Sequence, residues 1–250
     1  MADGLNFRII DHLRSLQQKL GRAREWDVLV KETLKHAPQR LLKKPFSAQL
    51  EHIVEGKRGE GHKQARDALR DRHCTDLLLR LAYWIDVESG ISSKGHSPQA
   101  RPNSDALTAP GIEFAAKVIR DYHRKTRRLG KRIRDLDSTQ LHRLRIRIKK
   151  LRYATEFFCG LWPPRRTKKY LSALKDLQEG LGTYHDTIVA GSLMASLEAL
   201  GESDIKSALE VLSDWLASEQ QRKRKEVIAL WSLFSERKLF WKQNAAKAHQ

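Results

Sequence analysis

Cysteine is nearly absent, since Cys74 and Cys159 are the only two in 250 residues. Two thiols cannot build a disulfide framework or a structural zinc site by themselves. Both fall in apolar-periodic stretches, so each is expected as a buried free thiol. Long hydrophobic runs are missing as well. No stretch reaches the roughly 18 consecutive apolar residues of a spanning helix, so no membrane partner is expected. The opening residues MADGLNFRII lack the charged head and apolar centre of a secretory signal. A cytoplasmic chain is the expectation. Strand-like alternation is scarce, and neither a nucleophile triad nor a metal-holding pair of carboxylates can be picked out. These absences predict no catalytic residue, no metal and no cofactor: a protein that binds rather than an enzyme.

What the sequence has in excess is positive charge. Its 48 Lys and Arg stand against 30 Asp and Glu, a formal net charge of +18. Solubility asks a small domain for a magnitude of only about 2 to 8. At 40% hydrophobic residues the chain is expected to fold, because disorder pairs high charge with low hydrophobicity. A folded, strongly cationic protein calls for a polyanionic partner.

Helical periodicity runs through most of the chain. Leu13, Leu16 and Leu20 recur at spacings of three and four, and the pattern continues through Trp26, Val28, Leu29 and Leu34 until Pro38 closes it. Further helices are predicted over Phe46 to Val54, Gln64 to Val87, 113–135, 139–160, 167–200 with a break near Gly182 or Gly191, and 204–220. A tail holding Trp231, Phe234, Phe240 and Trp241 follows. Residues 88–112, rich in Ser, Gly and Pro, read as a linker and boundary. The fold class is all-alpha, in two halves, 1–98 and 99–250.

An internal repeat supports two halves. Leu13-Arg-Ser-Leu-Gln-Gln-Lys-Leu-Gly21 aligns with Leu174-Lys-Asp-Leu-Gln-Glu-Gly-Leu-Gly182 at an offset of 161 residues, and five positions are identical. Beyond it, Glu25 stands opposite Asp186 and Val28 opposite Val189. The pattern predicts two related helical bundles.

The charge is concentrated. Residues 117–152 hold 15 Lys or Arg and three acids, a net +12 in 36 residues. On a helix over 141–158, Leu141, Leu144, Ile148, Leu151, Thr155 and Phe158 make an interior stripe. His142, Arg145, Lys149 and Arg152 make a second stripe bordering it. Arg124, Arg127, Arg128, Lys131 and Arg134 recur at three and four spacings on the preceding helix. An antiparallel hairpin is expected to bring both cationic faces together, where an anionic ligand would relieve their repulsion. Guanidinium and ammonium groups grip phosphate oxygens. The bland alternative is a solvated helix face, which is the expectation for Arg222 to Lys225. Glu25 and Asp186 are expected in salt-bridge or capping duty, and Tyr153, Tyr184 and His185 as packing or groove-lining groups.

The run LHRLRIRIKKLRYATEFF at 141–158, followed by LSALKDLQEGLGTYHDTIVA at 171–190, resembles the CHAD family, the conserved histidine alpha-helical domain. LRSLQQKLGRAREWDVL at 13–29 resembles the matching motif of that family's first half. The resemblance covers nearly the whole chain. It implies two helical bundles related by a pseudo-twofold axis around a basic cavity that binds inorganic polyphosphate without catalysis. It assigns the signature histidine to His142 and its basic companions to Arg145, Lys149 and Arg152, with Tyr153 and Glu156 at the remaining polar positions. The glycine motifs place Gly21, Arg24, Glu25 and Asp27 in the first half and Gly182, His185 and Asp186 in the second. Arg24 thereby joins the expected polyphosphate-binding set. Glu25 and His185 depart from the family, which commonly has Asp and Asn there.

A larger departure concerns the first half, whose own His/Arg helix the family places ahead of the glycine motif. The offset of 161 puts the counterpart of His142 at position −19, before Met1. The first half is therefore expected to lack its opening helix, with one wall of the cavity missing or completed by a second subunit in a homo-oligomer. Association with polyphosphate granules is the matching expectation for location. Three other readings stay open: RNA or DNA backbone binding, polyphosphate or triphosphate hydrolysis, and an adaptor that uses exposed tail tryptophans.

Overall fold

The computed structural model describes residues 2–38, 47–83, 111–199 and 205–242. Seven α-helices carry them: α1 (Ala2–Val28), α2 (Ser47–Arg70), α3 (Arg72–Tyr83), α4 (Gly111–Gly130), α5 (Ser138–Phe158), α6 (Pro164–Glu198) and α7 (Lys206–Ser235). No strand occurs among the described residues, so the fold is all-alpha. Most of the linker expected at 88–112, and the end of the helix predicted to Val87, lie outside the described residues.

Local chemistry sets the helix ends. After Val28 the chain passes through a π-helical turn, Leu29–Thr33, and a 3-10 turn, Leu34–His36. Ala37 is extended because the Pro38 ring excludes the helical region from its predecessor. The α5 start is a capping box. The Asp137 carboxylate accepts from the Gln140 backbone N–H at 2.7 Å, and the Gln140 side chain accepts from the Asp137 N–H at 3.0 Å. Pro164 opens α6, where its missing N–H is no loss.

Several predicted boundaries shift. The stretches Phe46 to Val54 and Gln64 to Val87 were separated by glycines 56, 59 and 61, yet α2 runs through all three. A helical glycine costs about 1 kcal/mol, but Gly61 brings α2 close to α1: a Cβ there would stand 3.2 Å from the Ala23 Cα. Asp27 of α1 then holds α2 by accepting from Arg58 Nε at 2.6 Å and lying 3.0 Å from His62 Nε2. The actual break is Asp71, whose carboxylate accepts the His73 N–H at 2.9 Å. Likewise α6 passes through Gly182 and Gly191 unbroken, and α7 extends to Ser235.

Contacts divide the chain into two compact units, Met1–Gln99 with Ser192–Trp215, and Ala100–Gly191 with Leu216–Gln250. The division differs from the expected halves at 192–215, because α6 and α7 each contribute to both units. The 161-residue offset carries α2 onto 208–231, inside α7, just as it carries α1 onto α6. The first unit packs α1 against α2 and α3, around Leu29, Leu50, Val54 and Leu77. The second has the larger core. Ile119 of α4, the Leu141–Leu144–Ile148–Leu151 stripe of α5, and Leu174, Leu177 and Leu181 of α6 join Val227, Trp231 and Phe234 of α7. Phe240 and Trp241 close it against Tyr170. The tail aromatics are thus core rather than contact surface. Cys74 is buried, but Cys159 is only partly so, its Sγ directed at the Glu156 carbonyl.

Gly130 and Gly56 should respond oppositely to alanine. A Cβ at Gly130 would stand 2.1 Å from the buried Trp231 ring, whereas one at exposed Gly56 meets nothing within 4 Å. Gly130→Ala is expected to lower stability by about 1–3 kcal/mol through overpacking. Gly56→Ala should raise it by about 0.5–1 kcal/mol through helix propensity. Urea unfolding midpoints of the two variants check the signs.

Candidate functional site

The α5 stripe is built as its spacing requires: Leu141, Leu144, Ile148, Leu151 and Thr155 are buried, Phe158 partly so. Thr155 satisfies its hydroxyl by donating to the Leu151 carbonyl at 2.8 Å. Burying that stripe turns the bordering residues onto α6. Arg152 donates from Nε to Gln178 Oε1 at 2.8 Å and from Nη1 to the Glu156 carboxylate, while its guanidinium carbon sits 4.7 Å from the centre of the Tyr153 ring. Lys149 is exposed, with Nζ 5.7 Å from the same ring.

Arg145 is placed differently. Its guanidinium lies against Gly182, where a Cβ would meet Nε at 3.8 Å and Nη2 at 3.9 Å. Nε is buried and has no hydrogen-bond partner, and no carboxylate pairs with Arg145 among the described residues. One residue turn away the His142 and His185 rings meet at 4.5 Å between centroids, tilted by 44°. His142 Nδ1 is also buried without a partner. Burial, then the charges of His142 and Arg145, pushes the His185 imidazole down to about 4. Burial and then Arg145 pushes His142 down as well. At neutral pH the cluster is therefore two uncharged imidazoles beside one guanidinium, with N–H donors awaiting an acceptor. An unsatisfied buried donor costs about 1–3 kcal/mol, more when charged. An anion seated here would supply the acceptor and raise both imidazoles.

The α4 cations have other neighbours. Arg124 pairs with Asp121 at 2.9 Å in the open, and Arg127 lies 5.9 Å over the Trp231 ring of α7. Arg128, Lys131 and Arg134 are exposed, with no ion pair among the described residues. The hairpin packs through its apolar stripes, so the flanking cations touch different helices, α7 for Arg127 and α6 for the α5 set. They do not converge on a single groove through these contacts. Arg224, expected on a solvated face, donates to the Arg134 and Leu136 carbonyls at 3.0 and 2.7 Å and ties down the loop between α4 and α5.

Arg24 belongs to the first unit and is exposed. Nearby Asp27 is structural: Arg58 first, then His62, holds its carboxyl down to about 2. The structure sets Gln178, Gly182 and His185 against Arg152, Arg145 and His142; the glycine motif had placed Gly182 and His185, the latter as a packing or groove-lining group, but none of the three was in the expected polyphosphate-binding set. The repeat did flag two of them, since Gln17/Gln178 and Gly21/Gly182 are among its identities. Among the described residues, no group of three or more His, Cys, Asp or Glu could hold a metal ion, and no helix is long and apolar enough to cross a membrane.

The chain is thus an all-helical protein whose second unit gathers Arg145, His142 and His185 where two helices meet. The family model of the CHAD domain matches residues 7–195, and the chain belongs to the CHAD family. It is also similar to the crystal structure of the CHAD domain from the plant Ricinus communis, with a TM-score of 0.71 and 28% identity over 91% of this chain and 72% of that one. No curated protein matches.

The imidazole pair should make stability fall with acid over a defined window. An unfolded histidine accepts its proton near 6.5, whereas folded His185 resists until about 4. Its stabilising contribution is complete above pH 6.5 and is lost as pH falls from there to 4. Asp27, held at about 2 against 3.8 unfolded, acts only below that range. Urea midpoints measured from pH 7 to 4 are expected to decline in the native chain and to flatten in His185→Gln. A native midpoint that stays level across the window refutes the assignment.

Proposed function

We propose that the chain binds inorganic polyphosphate, without catalysing a reaction on it, through the α5–α6 cluster. The observation that carries the reading is Arg145, a half-buried cation with a buried, unpartnered Nε–H and no ion pair among the described residues. A structural arginine normally has its carboxylate, as Arg152 has Glu156 and Arg58 has Asp27. Membership of the CHAD family supports the same ligand class. The exposed cations on α4 and Lys149 would extend the hold along a linear polyanion by charge, as would Arg24 in the first unit.

Guanidinium forks recognise phosphate oxygens in pairs, so Arg145 anchors one phosphate while its neighbours add unspecific attraction. Neutral His142 and His185 each offer an N–H and gain basicity as the anion approaches, so binding tightens as pH falls toward 6. Base readout has little to work with. Tyr184, one of two aromatics expected near the basic face, is buried, which leaves Tyr153 alone, beside Lys149 and Arg152.

Titration of labelled polyphosphate at several ionic strengths is the test. Affinity should fall steeply with salt as counter-ions are released. Arg145→Ala should weaken binding by about 10- to 100-fold, the worth of a charge-assisted hydrogen bond of about 1.5–3 kcal/mol, with circular dichroism unchanged. Adding Lys149→Ala should weaken it further. Undetectable or salt-insensitive binding overturns the proposal, and equal affinity for RNA would assign the cluster to nucleic-acid backbones instead.

A further inference from the structure

One end of the second unit carries an apolar tip set in a field of cations. Three large side chains point outward where α5 ends and α4 begins: Phe157 is 81% exposed, Leu161 on the following 3-10 turn 45%, and Phe114 of α4 41%. Phe158, partly buried against the core, joins them, its ring lying 4.8 Å from that of Phe157 and 6.1 Å from that of Phe114, edge to face in both pairs. The turn that displays Leu161 is anchored from below. Buried Trp162 packs 5.2 Å from the Phe240 ring, and its backbone N–H donates to the Cys159 carbonyl at 3.1 Å. From Phe157 to Tyr170 the sequence holds four cations, Arg165, Arg166, Lys168 and Lys169, and no acid. They fall in the opening turns of α6, where the helix dipole favours acids and the first turn has none. Exposed Lys117, one turn beyond Phe114, adds to them, while Glu113 and the Arg152-paired Glu156 stand against them. Scattered exposed apolar residues need no explanation, but a projecting cluster ringed by one sign of charge marks an interaction site.

We propose that this tip docks on the surface of an anionic lipid bilayer, with Phe157 and Leu161 entering the boundary between headgroups and acyl chains and the α6 cations facing the headgroups. Charge selects the sign of the partner, since an anionic leaflet attracts every Lys and Arg held close to it. Shape selects its kind. Phe157 on the last turn of α5 and Leu161 just beyond it form a protrusion rather than a socket. A bilayer accepts a protrusion anywhere on its surface, whereas a protein partner would have to supply a matching pocket. A second copy of this chain is a poor occupant, because 157–170 offers no acid to pair with its cations and like charges would meet. Contact of this kind needs no membrane-crossing helix, only apolar side chains that reach the interface and cations that stay in water. Arg145 lies on α5 about 18 Å of helix rise from Phe157, so docking at the tip leaves the arginine–histidine cluster open.

The docking is independent of polyphosphate and is tested without it. In sedimentation with vesicles, the full chain is expected to bind equal mixtures of phosphatidylcholine and phosphatidylglycerol and to leave phosphatidylcholine alone unbound. Phe157→Ser with Leu161→Ser, which changes no charge and no core contact, should weaken binding by about tenfold or more, with circular dichroism unchanged. Lys168→Gln with Lys169→Gln should weaken it as well and reduce its dependence on salt. A phosphatidylglycerol monolayer separates insertion from adsorption by charge: the native chain should raise its surface pressure, and the serine pair should not. Binding and pressure that the serine pair leaves unchanged overturn the proposal, because charge alone then accounts for them. Absence of binding to the anionic vesicles overturns it too, and a synthetic peptide rich in Glu and Leu that then binds the native chain but not the serine pair would give the tip to an acidic protein. A dimer in light scattering that the serine pair dissolves gives it to a second copy instead and likewise overturns the proposal. Arg145→Ala should bind vesicles as the native chain does, which separates this outcome from that of the polyphosphate titration.

Discussion

The second unit depends on one packing constraint: α5 must bury a stripe of branched aliphatic side chains against α6 while the residues bordering that stripe are long, cationic and hydrophilic. A strip of Leu141, Leu144, Ile148 and Leu151 gains roughly 1.5–3 kcal/mol per side chain on burial, enough to dictate how the helix is rolled. That roll leaves Arg145 no choice but to cross the α6 backbone. The crossing is tolerable because Gly182 presents no side chain. The cost remains visible in the unpartnered Nε and in the depressed imidazoles of His142 and His185. Hydrophobic packing thus positions, and holds half-dry, a cation that would otherwise extend into water.

The fold was legible wherever apolar spacing was strong. Leu13–Leu16–Leu20 and Leu141–Leu144–Ile148–Leu151 gave helices, and the absence of alternation gave the all-alpha class. It was least legible at glycines. A break was expected near Gly182 or Gly191, yet both are helical, as are Gly56, Gly59 and Gly61 between two stretches predicted apart. At Gly61 and Gly182 a neighbouring backbone or guanidinium comes close. The tail tryptophans misled for a related reason. Composition marks Trp231 and Trp241 as sticky, but only the three-dimensional arrangement shows Gly130 and Tyr170 making room for them.

The candidate site was half legible. Counting charges pointed to 117–152, but charge counts cannot tell an arginine with a carboxylate from one without. Arg124 has Asp121, Arg152 has Glu156, and Arg145 has neither. Nor could the wheel of α5 alone say which partner its basic border would face. Gln178, Gly182 and His185 carry no charge that a composition scan would register, and they matter because of what lies across from them. The repeat did contain Gln178 and Gly182, since a glutamine and a glycine kept at equivalent places beside leucines imply an equivalent partner, but not His185, which stands opposite Arg24.

That repeat also explains why the two units are not energetic equals. In the second, the leucines of the α6 flank are buried, and its glycine seats the Arg145 guanidinium. In the first, the same flank is wet, and the lone cation on it is Arg24, carried by α1 itself rather than delivered from across an interface. Exposed Arg24 keeps its hydration and interacts with an anion through a dielectric near that of water, where a charge pair at 4 Å is worth about 1 kcal/mol. Around half-buried Arg145 the effective dielectric is lower and the same pair is worth several times more.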